Sequence, residues 1–314
     1  MAVPERLGAV SMPIMAARRD DRNGFDVVPD DGGRFRLVRH RRMKMPAYFI
    51  PHGAGPCFFM DWAWGPADSW QGLGAWLKGF VASQGIAPRG ILVVSAHWVE
   101  ARVAVSAHPR PPLIYDYGGF PEHTYRLSYP VPGATTLAGR LRQQMDAAGI
   151  PCRIDAERGL DHGAFIPLML MFPTANVPVC QLSLQAGLDP AEHLAIGRAL
   201  EALREEGVLI IGSGSSYHNL QPAKGAATVI SEAFDAWLSE VLCGRLAGER
   251  ENGLIDWASA PHARDAHPTA EHLLPLMVVA GAAPLEVAER VYSDVVLGAR
   301  LSAFRFGCGE SAAH

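Results

Sequence analysis

The sequence predicts an α/β fold, a single domain in which helices cover both faces of a mixed central β-sheet. Three observations predict it. Short runs rich in Val and Ile are bounded by Gly or Pro, longer segments of helical period lie between them, and 49% of the 314 residues are hydrophobic against 19% charged. Such a balance supports a packed core and excludes disorder as the dominant state.

In chain order, residues 1–45 are rich in Arg, Asp and Gly and carry a basic cluster of Arg39, His40, Arg41, Arg42 and Lys44. They are expected to form an N-terminal extension, a solvated arm that is mobile or meets another subunit. Residues 46–308 form the main domain and 309–314 a tail. Ala47–Ile50 is the first buried strand, Ser69–Ser83 the first helix and Ile91–Ser95 the second strand. Pro109–Pro132, with Tyr115, Tyr117, Phe120, Tyr125 and Tyr129 among several prolines, is too irregular for an element and reads as a long aromatic loop, a kind often used for function. Thr135–Ala148 and Ala164–Met171 are helices, and Val179–Leu184 is a strand. Pro190–Glu206 is a helix with Asp189 as N-cap, Pro190 at its first position and Gly207 just past its end. Val208–Ile211 is the fourth strand, Thr228–Leu246 a further helix, and His272 opens another apolar helix.

A formal net charge of −4 argues against nucleic acid as a partner, and no apolar stretch reaches the ~18 residues of a membrane span. Five widely spaced cysteines, Cys57, Cys152, Cys180, Cys243 and Cys308, contain no C-x-x-C pair, which suits a reduced, cytoplasmic setting. Arg18-Arg19 is followed by Asp20, Asp21 and Arg22 where a targeting signal would need apolar residues.

Twelve histidines make chemistry the next question, because imidazole is both the commonest metal ligand and the side chain that titrates near neutrality. His52 follows the first strand, His97 the second and His218 the fourth. Ligands of open α/β sheets bind outside the carboxyl ends of strands, so these three are expected in one crevice. His162 stands at a turn that opens an apolar helix, with Asp161 beside it to orient the imidazole, and His272 has a similar setting. The others carry less signal: His40 in the basic arm, His193 on the outer part of a helix, His262 and His267 flanking a polar loop, His314 at the end, and His108 and His123 bordering the aromatic loop. No H-E-x-x-H, P-loop, G-x-S-x-G or G-x-G-x-x-G motif occurs in context.

Seven short motifs, in order from about Pro46 to Phe306, resemble the class III extradiol ring-cleavage dioxygenases, in the branch that includes plant and bacterial DOPA dioxygenases. They are Pro51-His52-Gly53, Val93–Trp98, Tyr115–Pro121, Leu160–Leu168, Pro178–Ser183, Gly212-Ser213-Gly214 with His218-Asn219-Leu220, and Glu271–Leu276. The resemblance implies that His52, His97 and His272 hold the metal and that His218 is an acid/base group able to approach the metal when substrate is absent. It implies that His162 is a second acid/base group or supports the ligands. The chain departs from the wider pattern in placing His272 where a carboxylate is more usual, with Glu271 next to it. It also departs in Ala54-Gly55-Pro56-Cys57 after the first histidine.

The function expected on this basis is Fe(II)-dependent opening of a catechol ring with O2 to a semialdehyde. The partners would be the catechol, O2 and a second copy of the chain. Tyr117, Phe120, His123 and Tyr217 are the expected substrate contacts. An all-histidine ligand set also admits Zn2+, so a zinc hydrolase on the same ligands and a non-catalytic metal-binding protein are the rival readings.

Overall fold

The computed structural model describes residues 44–221 and 225–307 in full and, ahead of them, the backbone of three short strands. These strands, Arg19–Asp20, Phe25–Pro29 and Phe35–Arg39, pair as an antiparallel sheet of their own, within a unit that ends at Met43. The N-terminal segment thus carries regular structure that its composition did not announce. His40, Arg41 and Arg42 of the basic cluster, and the tail 309–314, lie outside the described residues. Lys44, expected in a solvated arm, is instead bound by Glu201 at 2.7 Å and Glu286 at 3.0 Å.

From Lys44 onward, eight strands make one mixed sheet. They are β1 (Ala47–Pro51), β2 (Gly90–Glu100), β3 (Ala104–Ser106), β4 (Arg153–Asp155), β5 (Val179–Gln185), β6 (Val208–Gly214), β7 (Ala288–Val296) and β8 (Ala299–Phe306). Their order across the sheet is β7-β8-β1-β6-β2-β5-β3-β4. The central four, β1, β6, β2 and β5, run parallel, so their carboxyl ends share one edge. Every residue of β1 and β6 is buried, as parallel strands covered on both faces require.

Eight α-helices occur among the described residues: α1 (Gln71–Gln84), α2 (Thr135–Ala147), α3 (His162–Met171), α4 (Pro190–Glu205), α5 (Ala227–Ser239), α6 (Ala247–Ile255), α7 (Ala263–Ala266) and α8 (Leu274–Gly281). Consecutive strand residues point to opposite faces, and β6 shows what lies on each. Gly212 backs onto Pro275 and Val279 of α8, while the Ser213 hydroxyl donates to the Gly163 carbonyl of α3 at 2.5 Å. On the α8 face, α4 and α8 cross backbone to backbone at Gly197 and Gly281, where a Cβ on either would overlap a carbonyl of the other helix. Arg204, fully buried at the end of α4, satisfies its guanidinium on the carbonyls of Met45 and Ala282 and on Glu286.

The expected elements occur with small changes of extent. Asp189 caps α4 by accepting from the Ala191 and Glu192 amides, and Gly207 beyond its end has φ +88. The helix expected to run to Leu246 stops at Ser239, passes through a π-turn over Glu240–Gly244 and turns extended at Arg245, where Gly244 offers little helical propensity. The β7–β8 hairpin had no sequence signal because its turn is Leu297-Gly298, with φ +52 and +81. A branched aliphatic residue occupies the left-handed position that Asn or Asp usually marks.

Candidate active site

Five histidines meet at the carboxyl edge of the parallel strands. β1 delivers His52, whose amide donates to the Gly214 carbonyl at 3.2 Å and ties the ends of β1 and β6 together. In β2 the register with β5 shifts between Val94 and Val99, an irregularity that re-aims His97. His272 lies just before α8, and its carbonyl accepts from the Ser215 amide at 2.9 Å. That close approach needs glycine at 214, since a Cβ there would overlap the His272 carbonyl oxygen. His162 is the first residue of α3, and His218 follows β6 with its amide bonded to the Ala266 carbonyl at 2.9 Å.

The rings of His52, His97 and His272 are mutual neighbours, with centroids 4.9 Å apart for His52–His97 and His97–His272 and 5.3 Å for His52–His272. His162 packs 4.0 Å from His97, and His218 stacks on His272 at 3.3 Å with the planes only 8° apart. Ligand nitrogens of His52, His97 and His272 lie within 4.8 Å of one another, close enough to share one ion. Both ring nitrogens of His52 and the Nε2 atoms of His97 and His272 are buried without a hydrogen-bond partner. Buried polar atoms are normally satisfied, so converging orphan nitrogens on three imidazoles fit a metal ion.

Electrostatics favour the ligating form. Burial first, and then the neighbouring imidazoles, push His52 well below the usual 6.5. Burial also lowers His97 to about 4 and His272 to about 3, and it lowers His218 against the opposing pull of Glu271. Near pH 7 these rings are neutral and carry free lone pairs.

Asp161 does not orient the His162 imidazole. Its carboxylate caps α3 and is buried in a network with Ser95 Oγ at 2.7 Å, Gln181 Nε2 at 2.7 Å and Arg158 at 3.1 Å. The carboxylate on His162 belongs to Asp116, in the aromatic loop, which accepts from both Nδ1 and the backbone amide of His162 at 2.9 Å. Sequence reasoning missed Asp116, although it lies inside one of the motifs, because its partner is 46 residues away.

The aromatic loop wraps the cluster. Tyr117 lies 5.7 Å from His162, Phe120 is 5.5 Å from Tyr117, and the unforeseen Trp64 is 5.3 Å from Phe120. Tyr115 and Tyr117 spend their hydroxyls inside the loop, on the carbonyls of Leu127 and Thr124 at 2.6 Å, so they offer apolar walls. His123 clips the loop to the Phe59 carbonyl at 3.0 Å. Tyr217 is buried with an unpaired hydroxyl, and it takes no part in the ring contacts that join the histidines. His193, expected on an outer helix face, is fully buried, its Nδ1 donating to the Asp189 carbonyl and its Nε2 accepting from the Gln185 amide. His267 is also buried, donating to the Ser216 carbonyl at 3.1 Å.

A family model described as the catalytic LigB subunit of aromatic ring-opening dioxygenase matches residues 46–302. The chain belongs to this family. The dioxygenase is 39% identical over 240 residues to a 4,5-DOPA dioxygenase extradiol of Beta vulgaris, covering 75% of this chain and 86% of that one. A protein of the same description from Escherichia coli K12 is 35% identical over 243 residues, 76% and 85% of the two chains. The crystal structure of an uncharacterised Escherichia coli K12 protein superposes with a TM-score of 0.61 at 30% identity, over 84% of this chain and 100% of the other. The protein is an extradiol ring-opening dioxygenase of a metal-dependent family, and the rival readings, a zinc hydrolase and a non-catalytic binder, are set aside. No helix among the described residues is long and apolar enough to cross a membrane.

Proposed function

We propose that this dioxygenase holds Fe(II) on His52, His97 and His272 and opens the ring of a catechol with O2, giving a semialdehyde. The observation that carries the reading is the convergence of buried orphan nitrogens from three histidines beside two further imidazoles. When bound, ferrous iron supplies the redox chemistry between ring and O2, and three protein ligands leave it room for both.

The chain's own residues handle protons and shape. With Asp116 on its Nδ1–H, His162 presents Nε2 as an acceptor for a hydroxyl proton. His218, neutral near pH 7 and half-buried at the other end of the cluster, takes the second proton and later returns it to the opening ring. Tyr117 and Phe120 wall the ring and keep bulk water out. The names of the relatives support a catechol, with DOPA the first compound to try.

The test is anaerobic loading with Fe(II), followed by oxygen uptake and visible absorption with DOPA, catechol, protocatechuate and gallate. A new chromophore and one O2 consumed per ring are expected. No turnover of any catechol at full iron occupancy would overturn the reading. Three imidazoles also suit Zn2+. Protein purified without added iron is therefore expected to contain zinc and to consume oxygen only after exchange.

A further inference from the structure

We infer that Asp116 and Glu271 are the charge partners of the centre, each placed beside one ligand imidazole and one proton-handling imidazole. This rests on the reading of His52, His97 and His272 as ligands. Asp116 accepts from His162 Nδ1 at 2.9 Å, and its other oxygen lies 3.8 Å from His97 Nδ1. Glu271, from a different part of the chain, has the converse arrangement, with Oε1 hydrogen-bonded to the ligand His272 at Nδ1, 3.2 Å away, and 3.9 Å from His218 Nδ1. Each carboxylate therefore meets one histidine of each kind, and His52 alone meets neither.

Three neutral imidazoles leave a divalent ion with its full charge inside a buried site. Two carboxylates at the far nitrogens of His97 and His272 offset that charge without ligating. Glu271 also holds the Nδ1 proton of His272 by its hydrogen bond, so that Nε2 faces inward as the lone-pair atom, while Asp116 acts on His97 through charge across 3.8 Å. Both groups are ionised near neutrality. Burial raises Asp116, yet the two hydrogen bonds from His162 and the charge of His162 and His97 together outweigh it, and Glu271 is held down to about 2 chiefly by its hydrogen bond with His272. Asp116 and Glu271 are thus positioning residues. They supply from outside the ligand shell the negative charge that a ligating carboxylate would otherwise bring.

The test is anaerobic titration of the full-length metal-free chain with Co2+, read by calorimetry and by the visible ligand-field band. It needs no catechol turnover. Asp116→Asn and Glu271→Gln are each expected to weaken Co2+ binding about 10–100-fold and to shift the band, the size typical of a lost partner to a ligating histidine. The charge-keeping Asp116→Glu and Glu271→Asp are expected to recover most of the affinity. Glu251→Gln, which removes a surface carboxylate paired with Arg198, is expected to bind as wild type. Wild-type affinity and band in either neutral variant would overturn the role for that carboxylate, even if the metal-free thermal midpoint fell. A wild-type chain that bound no Co2+ would overturn the ligand assignment itself, and this inference with it.

Discussion

At His218 the ring lies flat on His272, 3.3 Å away, and its Nδ1 stands 3.9 Å from Glu271, beyond hydrogen-bond reach. Among the described residues neither nitrogen has a hydrogen-bond partner, as a group that gives and takes protons requires. His218→Gln keeps a planar polar side chain against His272 but cannot change protonation. It is expected to retain its metal and to lose about 10²–10⁴-fold in turnover, measured as oxygen uptake against metal content per chain. Full activity in this variant would remove the proton-transfer role. His267 shows the limit of counting histidines, since it is wholly buried against Phe234 and Trp257 and serves packing. The five site histidines were legible because each follows or begins an element that a single residue pattern marks. Asp116 was not, because its pairing with His162 is a tertiary contact, and adjacency favoured Asp161, which the helix uses as its cap.

Helix and strand patterns carried the parallel core well, since β1 and β6 are buried throughout, β2 and β5 are buried over Gly90–Ala96 and Val179–Leu184, and α4 bears both its cap and its stop signal. What they could not show is how closely elements approach. The glycines of β6 and of the α4–α8 crossing look unremarkable in sequence, yet a side chain at either place would meet backbone. Two substitutions separate the consequences. Gly197→Ala forces α4 away from α8 at Val278 and Gly281 and is expected to cost about 1–3 kcal/mol of stability in urea unfolding with metal affinity unchanged. Gly214→Ala presses on the carbonyl of His272 and is expected to lower both stability and Co2+ affinity. Equal affinity in the two variants would show that the approach of β6 does not position His272.

Across the whole molecule, an unusual number of imidazoles are folded in the neutral state. Burial lowers His193, lowers His52 strongly, and takes His97 and His267 to about 4 and His272 to about 3. In the unfolded chain each titrates near 6.5. Between about pH 6.5 and 4 the unfolded chain therefore binds protons that the folded chain refuses, so stability is full above 6.5 and falls as the pH drops through that window. His267, with no exposed surface and no acid within bonding reach, contributes on the order of 3 kcal/mol of this loss by itself. Carboxylates act at lower pH with the same proton count, since the unfolded chain again binds the proton that the folded one refuses. Glu271 is depressed to about 2 from its ordinary 4.5, so its contribution persists down to about pH 4.5 and disappears below. Urea unfolding of the metal-free protein is thus expected to show an acid loss that begins near pH 6.5 with a slope of more than one proton. A separate, lower phase follows from the carboxylates. His267→Asn is expected to remove about one proton from the upper phase. Bound metal raises stability by mass action, and protons compete for the same nitrogens only where the folded rings themselves titrate, so the loaded protein is expected to run parallel to the metal-free one down to about pH 4 and to fall more steeply below. Stability that stayed level from pH 7 to 5 in both forms would mean that these imidazoles do not resist protonation, and that the buried neutral cluster is not what the folded chain maintains.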